Sequence, residues 1–183
     1  MPLQHGRFTA DMVRAFPDDG NRYELVAGEL LVTPAPASPH QRIVLRLARR
    51  LADHCDVEGR YETMISPADI SWGDDETLVQ PDVFVVPRDE AVAGDWAATR
   101  TLVLVAEVLS PSTARHDRFT KRRLYQARKV ATLWLVNAAD RSVEVWTPHA
   151  EHPLVERIQL TWNTPGNAGG KPLSILLDEL FAD

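Results

Sequence analysis

Cys55 is the chain's one cysteine, which excludes an intramolecular disulfide and fits a reducing compartment. No apolar stretch nears the roughly 18 residues that cross a bilayer. Met1–Arg7 lacks the apolar core of a secretion signal. Internal repeats, low-complexity tracts and a linker that would divide the chain are also missing. What is present is ordinary for a globular protein: 183 residues, 44% apolar and 25% charged. A chain of that size can bury roughly 70% of its unfolded surface, so it needs no covalent staple. The expectation is a soluble, cytoplasmic protein in which residues 1–183 form a single domain.

Positive charge is the scarcer sign, and the net charge is −6. The deficit is uneven. Between Ala114 and Lys129, seven basic residues, among them Arg115, Arg118, Arg122 and Arg123, face one acid, Asp117, for a local +6. A nucleic-acid contact would involve this patch. On charge alone, a solvated helix face is the plainer reading.

Hydrophobic spacing predicts a short helix over Thr9–Ala15 with Thr9 as cap, then a hairpin over Tyr23–Val32 turning at Ala27-Gly28. Ser38-Pro39-His40-Gln41 reads as a capping box. Behind it, Ile43, Val44, Leu47, Ala48 and Leu51 make one face of a helix of about three turns. Strands are expected at Gly59–Ile65, Asp69–Trp72, Asp82–Val86 and Thr101–Leu109, and a helix over Asp117–Arg128. A strand pair at Ala131–Asn137 and Ser142–Trp146, a strand at Val155–Leu160 and a terminal element at Leu173–Phe181 complete the order. The fold class is α/β (α+β) around one central sheet.

Leu102–Leu109 is almost wholly apolar, as expected of a central strand covered on both faces, yet Glu107 interrupts it. A carboxylate there costs several kcal/mol unless a cation, a donor or a metal compensates. Asp82 heads a second apolar strand, Pro81–Val86. Two acids on two such strands suit a hard divalent cation such as Mg²⁺. Lys121 lies one turn into the following helix, within reach if that helix folds back, where it would orient or help deprotonate a metal-bound water. The plainer alternative has Glu107 and Lys121 as a structural ion pair and Asp82 as a strand-entry cap.

The spaced blocks Arg22–Leu30, Pro34–His40, Pro81-Asp82-Val83, Glu107–Thr113, Asp117/Lys121/Tyr125 and Leu133–Val136 resemble those of the Uma-two (Uma2) family, restriction-endonuclease-like proteins of the PD-(D/E)xK nuclease superfamily. The resemblance runs from about Phe8 to Trp146. It implies a restriction-endonuclease-like fold, with a central mixed sheet flanked by helices. It also implies that Asp82 and Glu107 hold Mg²⁺ or Mn²⁺, that Lys121 replaces the usual lysine (whose place Leu109 takes), and that His40 meets metal or phosphate. Glu29 matches an N-terminal acid, with Glu24 as a second candidate. Arg118 and Arg122, beside Lys121, would bind flanking phosphates, and a homodimer would follow from the superfamily's habit of cutting both strands. Asn137 and Thr132-Leu133 depart from the family pattern, departures expected to affect a sheet edge or a subunit contact rather than catalysis.

Other patterns carry less. Gly166–Lys171 misses the phosphate-loop consensus at Pro165 and Pro172, and His149/His152 lack further zinc ligands. The function expected is a metal-dependent endonuclease acting on nucleic acid, DNA above all; the alternative is a catalytically silent nuclease-fold protein that binds nucleic acid or a protein partner.

Overall fold

Thr9 caps the first helix, α1 (Ala10–Arg14), as its sequence predicts: its side chain accepts from the Met12 amide at 3.3 Å. The computed structural model describes residues 7–92, 94–167 and 169–182; Met1–Gly6 of the opening segment lie outside the described residues. Strands β1 (Asn21–Val26) and β2 (Glu29–Pro34) pair antiparallel through a turn that sets Ala27 and Gly28 at φ of 51° and 80°. Two left-handed residues match the twist of a hairpin, and glycine takes its place without steric cost.

Helix α2 (Ser38–Glu58) runs 21 residues, about six turns rather than three. Its buried stripe Ile43, Leu47, Leu51 continues to Cys55, and Gly59 at φ 73° ends it in a left-handed cap. The expected serine cap is not made. Ala37 holds the cap position without a side-chain bond and Ser38 is already helical; Pro39 fits in the first turn, where its missing N–H has no helical use.

The chain continues through β3 (Tyr61–Ile65), β4 (Val83–Pro87), α3 (Arg88–Val92) and β5 (Leu104–Val108). Helix α4 (Arg122–Ala127) is entered through a π-helical stretch, His116–Lys121. There follow β6 (Thr132–Asn137), β7 (Ser142–Trp146), β8 (Leu154–Glu156), β9 (Gln159–Trp162), β10 (Leu173–Leu176) and α5 (Leu177–Leu180). Six strands form the central sheet in the order β3-β4-β5-β6-β7-β8. Strands β5 and β6 run parallel, as a helical crossover requires, and the other neighbours antiparallel. The hairpins β1–β2 and β9–β10 stand beside it as separate ladders. This is the mixed sheet flanked by helices that the sequence predicts. Locally, Asp69–Trp72 makes only a bridge, Ile70 to Val79, and Val155–Leu160 breaks at exposed Ile158 into β8 and β9. Among the described residues no helix is long and apolar enough to cross a membrane.

Every residue of β5 is buried. Leu104, Ala106 and Val108 join Val83 and Val85 of β4 in the core beneath α2, β9 and β10. Val105 joins Phe84, Val86, Leu133 and Leu135 in the opposite core, beneath Tyr125 of α4. Strand alternation therefore turns Glu107 and Asp82 toward the α4 side.

Candidate functional site

Phe84 lies opposite Val105 and Val83 opposite Ala106; one further step in that register sets Asp82 beside Glu107. The two acids converge because β4 and β5 run antiparallel and both acids share the parity of the α4-facing residues. Each is nearly inaccessible.

Asp82 meets three hydrogen-bond partners. Oδ1 accepts from Arg22 Nη1 at 2.9 Å, while Oδ2 takes the Val108 amide at 2.9 Å and meets His40 Nε2 at 3.1 Å. Burial alone would raise its pKa, but the His40 hydrogen bond and the Arg22 guanidinium outweigh it and hold the group at about 2. His40 arrives from the first turn of α2, and its Nδ1 is buried without a hydrogen-bond partner.

Lys121 is 2% exposed and reaches Glu107 Oε1 at 2.6 Å, Glu24 Oε1 at 2.9 Å and Asp117 Oδ1 at 3.8 Å. Burial would lower its pKa, but those carboxylates overcome it and drive it well above the ordinary lysine range. The surrounding carboxylates thus favour the ammonium form. Glu107 Oε1 also accepts from the Tyr125 hydroxyl at 2.6 Å. Burial raises Glu107 to about 8 despite Lys121, with Asp82, Asp117 and Glu24 adding to the rise. Burial and the neighbouring acids therefore favour the protonated form of Glu107, and Lys121 opposes them.

These residues line a cavity of about 260 Å³ whose walls include Arg22, Glu24, His40, Asp82, Glu107, Asp117 and Lys121, with Pro34–Ala37 and Ser110–Thr113 at the rim. Four carboxylates (Glu24, Asp82, Glu107, Asp117) meet two permanent cations (Arg22, Lys121) on its walls. Fully ionised, they leave two negative charges unbalanced, and the donors are hard oxygens; both properties fit one divalent ion of the Mg²⁺ or Mn²⁺ type. Among the described residues no group of three or more His, Cys, Asp or Glu side chains stands ready around a metal position. An ion held by Asp82 and Glu107 would complete its shell with water, as Mg²⁺ commonly does.

Asp82, Glu107, Lys121 and His40, singled out from sequence, thus come together. Glu29 does not join them; it lies beside Arg115, His116, Phe119 and Arg123 on the outer side of the π-helical stretch. Arg118 and Arg122 also point elsewhere. Arg118 Nε pairs with Glu144 at 2.9 Å, and the Arg122 guanidinium lies 4.4 Å from the centre of the Trp146 ring. Sequence reading missed Arg22 and Asp117 and left Glu24 at the margin. The alternation in Arg22-Tyr23-Glu24 was the available signal, since it puts both charges on one face of β1. Glu24 is fixed by the Gln80 amide at 2.8 Å, and Arg22 Nη1 is tied to the Gln80 carbonyl at 3.2 Å. Among the described residues, Arg22 Nε and Nη2 make no hydrogen bond and stay available to a ligand.

A family model described as "Uma2: Putative restriction endonuclease" matches residues 10–169. Among solved structures, the chain is similar to one described as "a putative nuclease belonging to DUF820 from Anabaena variabilis", with a TM-score of 0.76 and 19% identity over 95% of this chain and 97% of that one. At that identity the likeness shows the fold alone. No curated protein matches the chain significantly.

Proposed function

The chain belongs to the Uma2 family, and from that premise we propose that it is a metal-dependent endonuclease hydrolysing phosphodiester bonds in nucleic acid, DNA above all. The observation that carries the reading is the adjacency of Asp82 and Glu107 on one cavity wall, with the Lys121 ammonium 2.6 Å from Glu107. Asp82 and Glu107 would hold Mg²⁺ or Mn²⁺, which supplies Lewis-acid stabilisation of phosphate charge and lowers the pKa of a bound water.

The other groups have roles set by their contacts. The Lys121 ammonium and the Tyr125 hydroxyl hold Glu107 Oε1 in place and leave Oε2 for the ion. Val108 N–H and His40 hold Asp82 Oδ2, and Oδ1, which accepts one hydrogen bond from Arg22, keeps a lone pair for the ion. Arg22, with Nε and Nη2 unengaged and its side chain partly exposed in the cavity, is placed to receive a phosphate oxygen. Arg118 and Arg122 are occupied by Glu144 and Trp146, so the phosphate-binding role expected of them passes to Arg22.

The test is DNA cleavage with Mg²⁺ or Mn²⁺ alongside Mn²⁺ calorimetry. Asp82→Asn and Glu107→Gln should each lower turnover by more than about 1,000-fold and weaken Mn²⁺ binding, while circular dichroism shows the fold retained. Cleavage at the wild-type rate in either folded variant would overturn the assignment.

A further inference from the structure

The helix over the site carries three side-chain stripes at four-residue spacing. Asp117, Lys121 and Tyr125 face inward and are buried. Arg118, Arg122 and Gln126 bind along β7 and the turn after it, to Glu144, the Trp146 ring and the carbonyls of Thr147 and Ala150. The third stripe, Arg115, Phe119 and Arg123, is exposed, and among the described residues neither arginine has an ion-pair or hydrogen-bond partner. Phe119 is 56% exposed between them. An exposed aromatic ring between two unpaired cations, on a chain of net charge −6, matches a partner that is both anionic and flat-faced.

We propose that Arg115, Phe119 and Arg123 form a docking stripe for an unpaired stretch of nucleic acid, Phe119 stacking a base and the arginines binding the phosphates on either side of it. The charge is complementary to a polyanion and opposite in sign to the rest of the chain. The arginines lie two helical turns apart, on the order of 10 Å, with the ring midway. A protruding phenyl can stack on a base freed from its pair but not on one held inside a duplex. The stripe shares its helix with the cavity: Thr113 and Asp117 line the cavity wall, while Arg115, Phe119 and Arg123 border a separate hollow on the outer side of the same helix. A strand held there is separated from the proposed cleavage site by the width of one helix, roughly 10 Å. Glu29 borders the same surface and opposes an anion, so it weakens the contact.

This inference rests on the nucleic-acid part of the proposed function, and its test is independent of cleavage. Fluorescence anisotropy in EDTA would measure the full-length chain against a single-stranded oligonucleotide and the matching duplex. Phe119→Ala should weaken single-strand binding about tenfold and leave duplex binding within twofold. Arg115→Gln with Arg123→Gln should flatten the salt dependence, and Glu29→Gln should tighten single-strand binding. Equal loss on both substrates, or no loss for Phe119→Ala, would overturn the stacking role. Retained stacking in a protein that cuts nothing would overturn the nuclease reading alone.

Discussion

The two faces of the central sheet share their strands and differ in almost everything else. Beneath α2, the residues Val83, Val85, Leu104, Ala106 and Val108 meet Ile43, Leu47, Leu51, Trp134 and Trp162 in a wholly apolar core. Beneath α4, the alternate residues of the same strands include Asp82 and Glu107, and the helix above them supplies Asp117, Lys121 and Tyr125. Parity alone separates the two environments. A slip of one residue in β5 would move Glu107 under α2, where no cation waits for it. The site is therefore registered by the same alternation that builds the core.

The strongest way to break the contrast is to remove the charge that makes the α4 side tolerable. Lys121→Met leaves Glu107, Glu24 and Asp117 without their shared cation, and urea denaturation should show a loss of about 3–5 kcal/mol at neutral pH. Leu51→Ala, on the apolar side, should cost about 2–5 kcal/mol through its cavity. Only the lysine variant should recover stability in acid, where its stranded carboxyls take up protons.

Acidity separates the faces next. Glu107 is raised from 4.5 to about 8 by burial, so the stability tied to its proton is complete below pH 4.5 and is lost as pH climbs through about 8. Asp82, lowered from 3.8 to about 2, acts oppositely: its contribution is present above pH 3.8 and lost as pH falls through about 2. Thermal melts in chelator should show a midpoint falling between pH 5 and 9, and Glu107→Gln should flatten that slope. The smallest effect should come from Tyr125→Phe, which keeps the ring in its core and removes one hydrogen bond to a buried acid. A loss of about 1–3 kcal/mol is expected by denaturant titration, and a change below 0.3 kcal/mol would mean that Lys121 alone holds Glu107.

Much of this architecture was legible in the sequence. The apolar run around Glu107 marked the central strand, and the acid inside it marked the site, because a lone buried charge needs an explanation. The length of α2 was not legible from its first turns: the stripe passes through Cys55, which packs as a small hydrophobe, and stops only at Gly59. The partners of the arginines were hidden for a different reason. Whether Arg118 meets a phosphate or Glu144 depends on where β7 lies, and β7 is 24 residues further on. Glu24 was underrated because a hairpin carboxylate is ordinarily solvated; its burial comes from the Leu25–Leu78 backbone pairing that presses β1 against the segment leading to Asp82.

The arrangement of Lys121 among Glu24, Glu107 and Asp117 also sets an order of events during synthesis. All three acids, and Asp82 with them, leave the ribosome before the lysine that Glu24, Glu107 and Asp117 share. Until that residue emerges, closing the interior would trap uncompensated negative charge. A nascent chain short of position 121 therefore has reason to stay open.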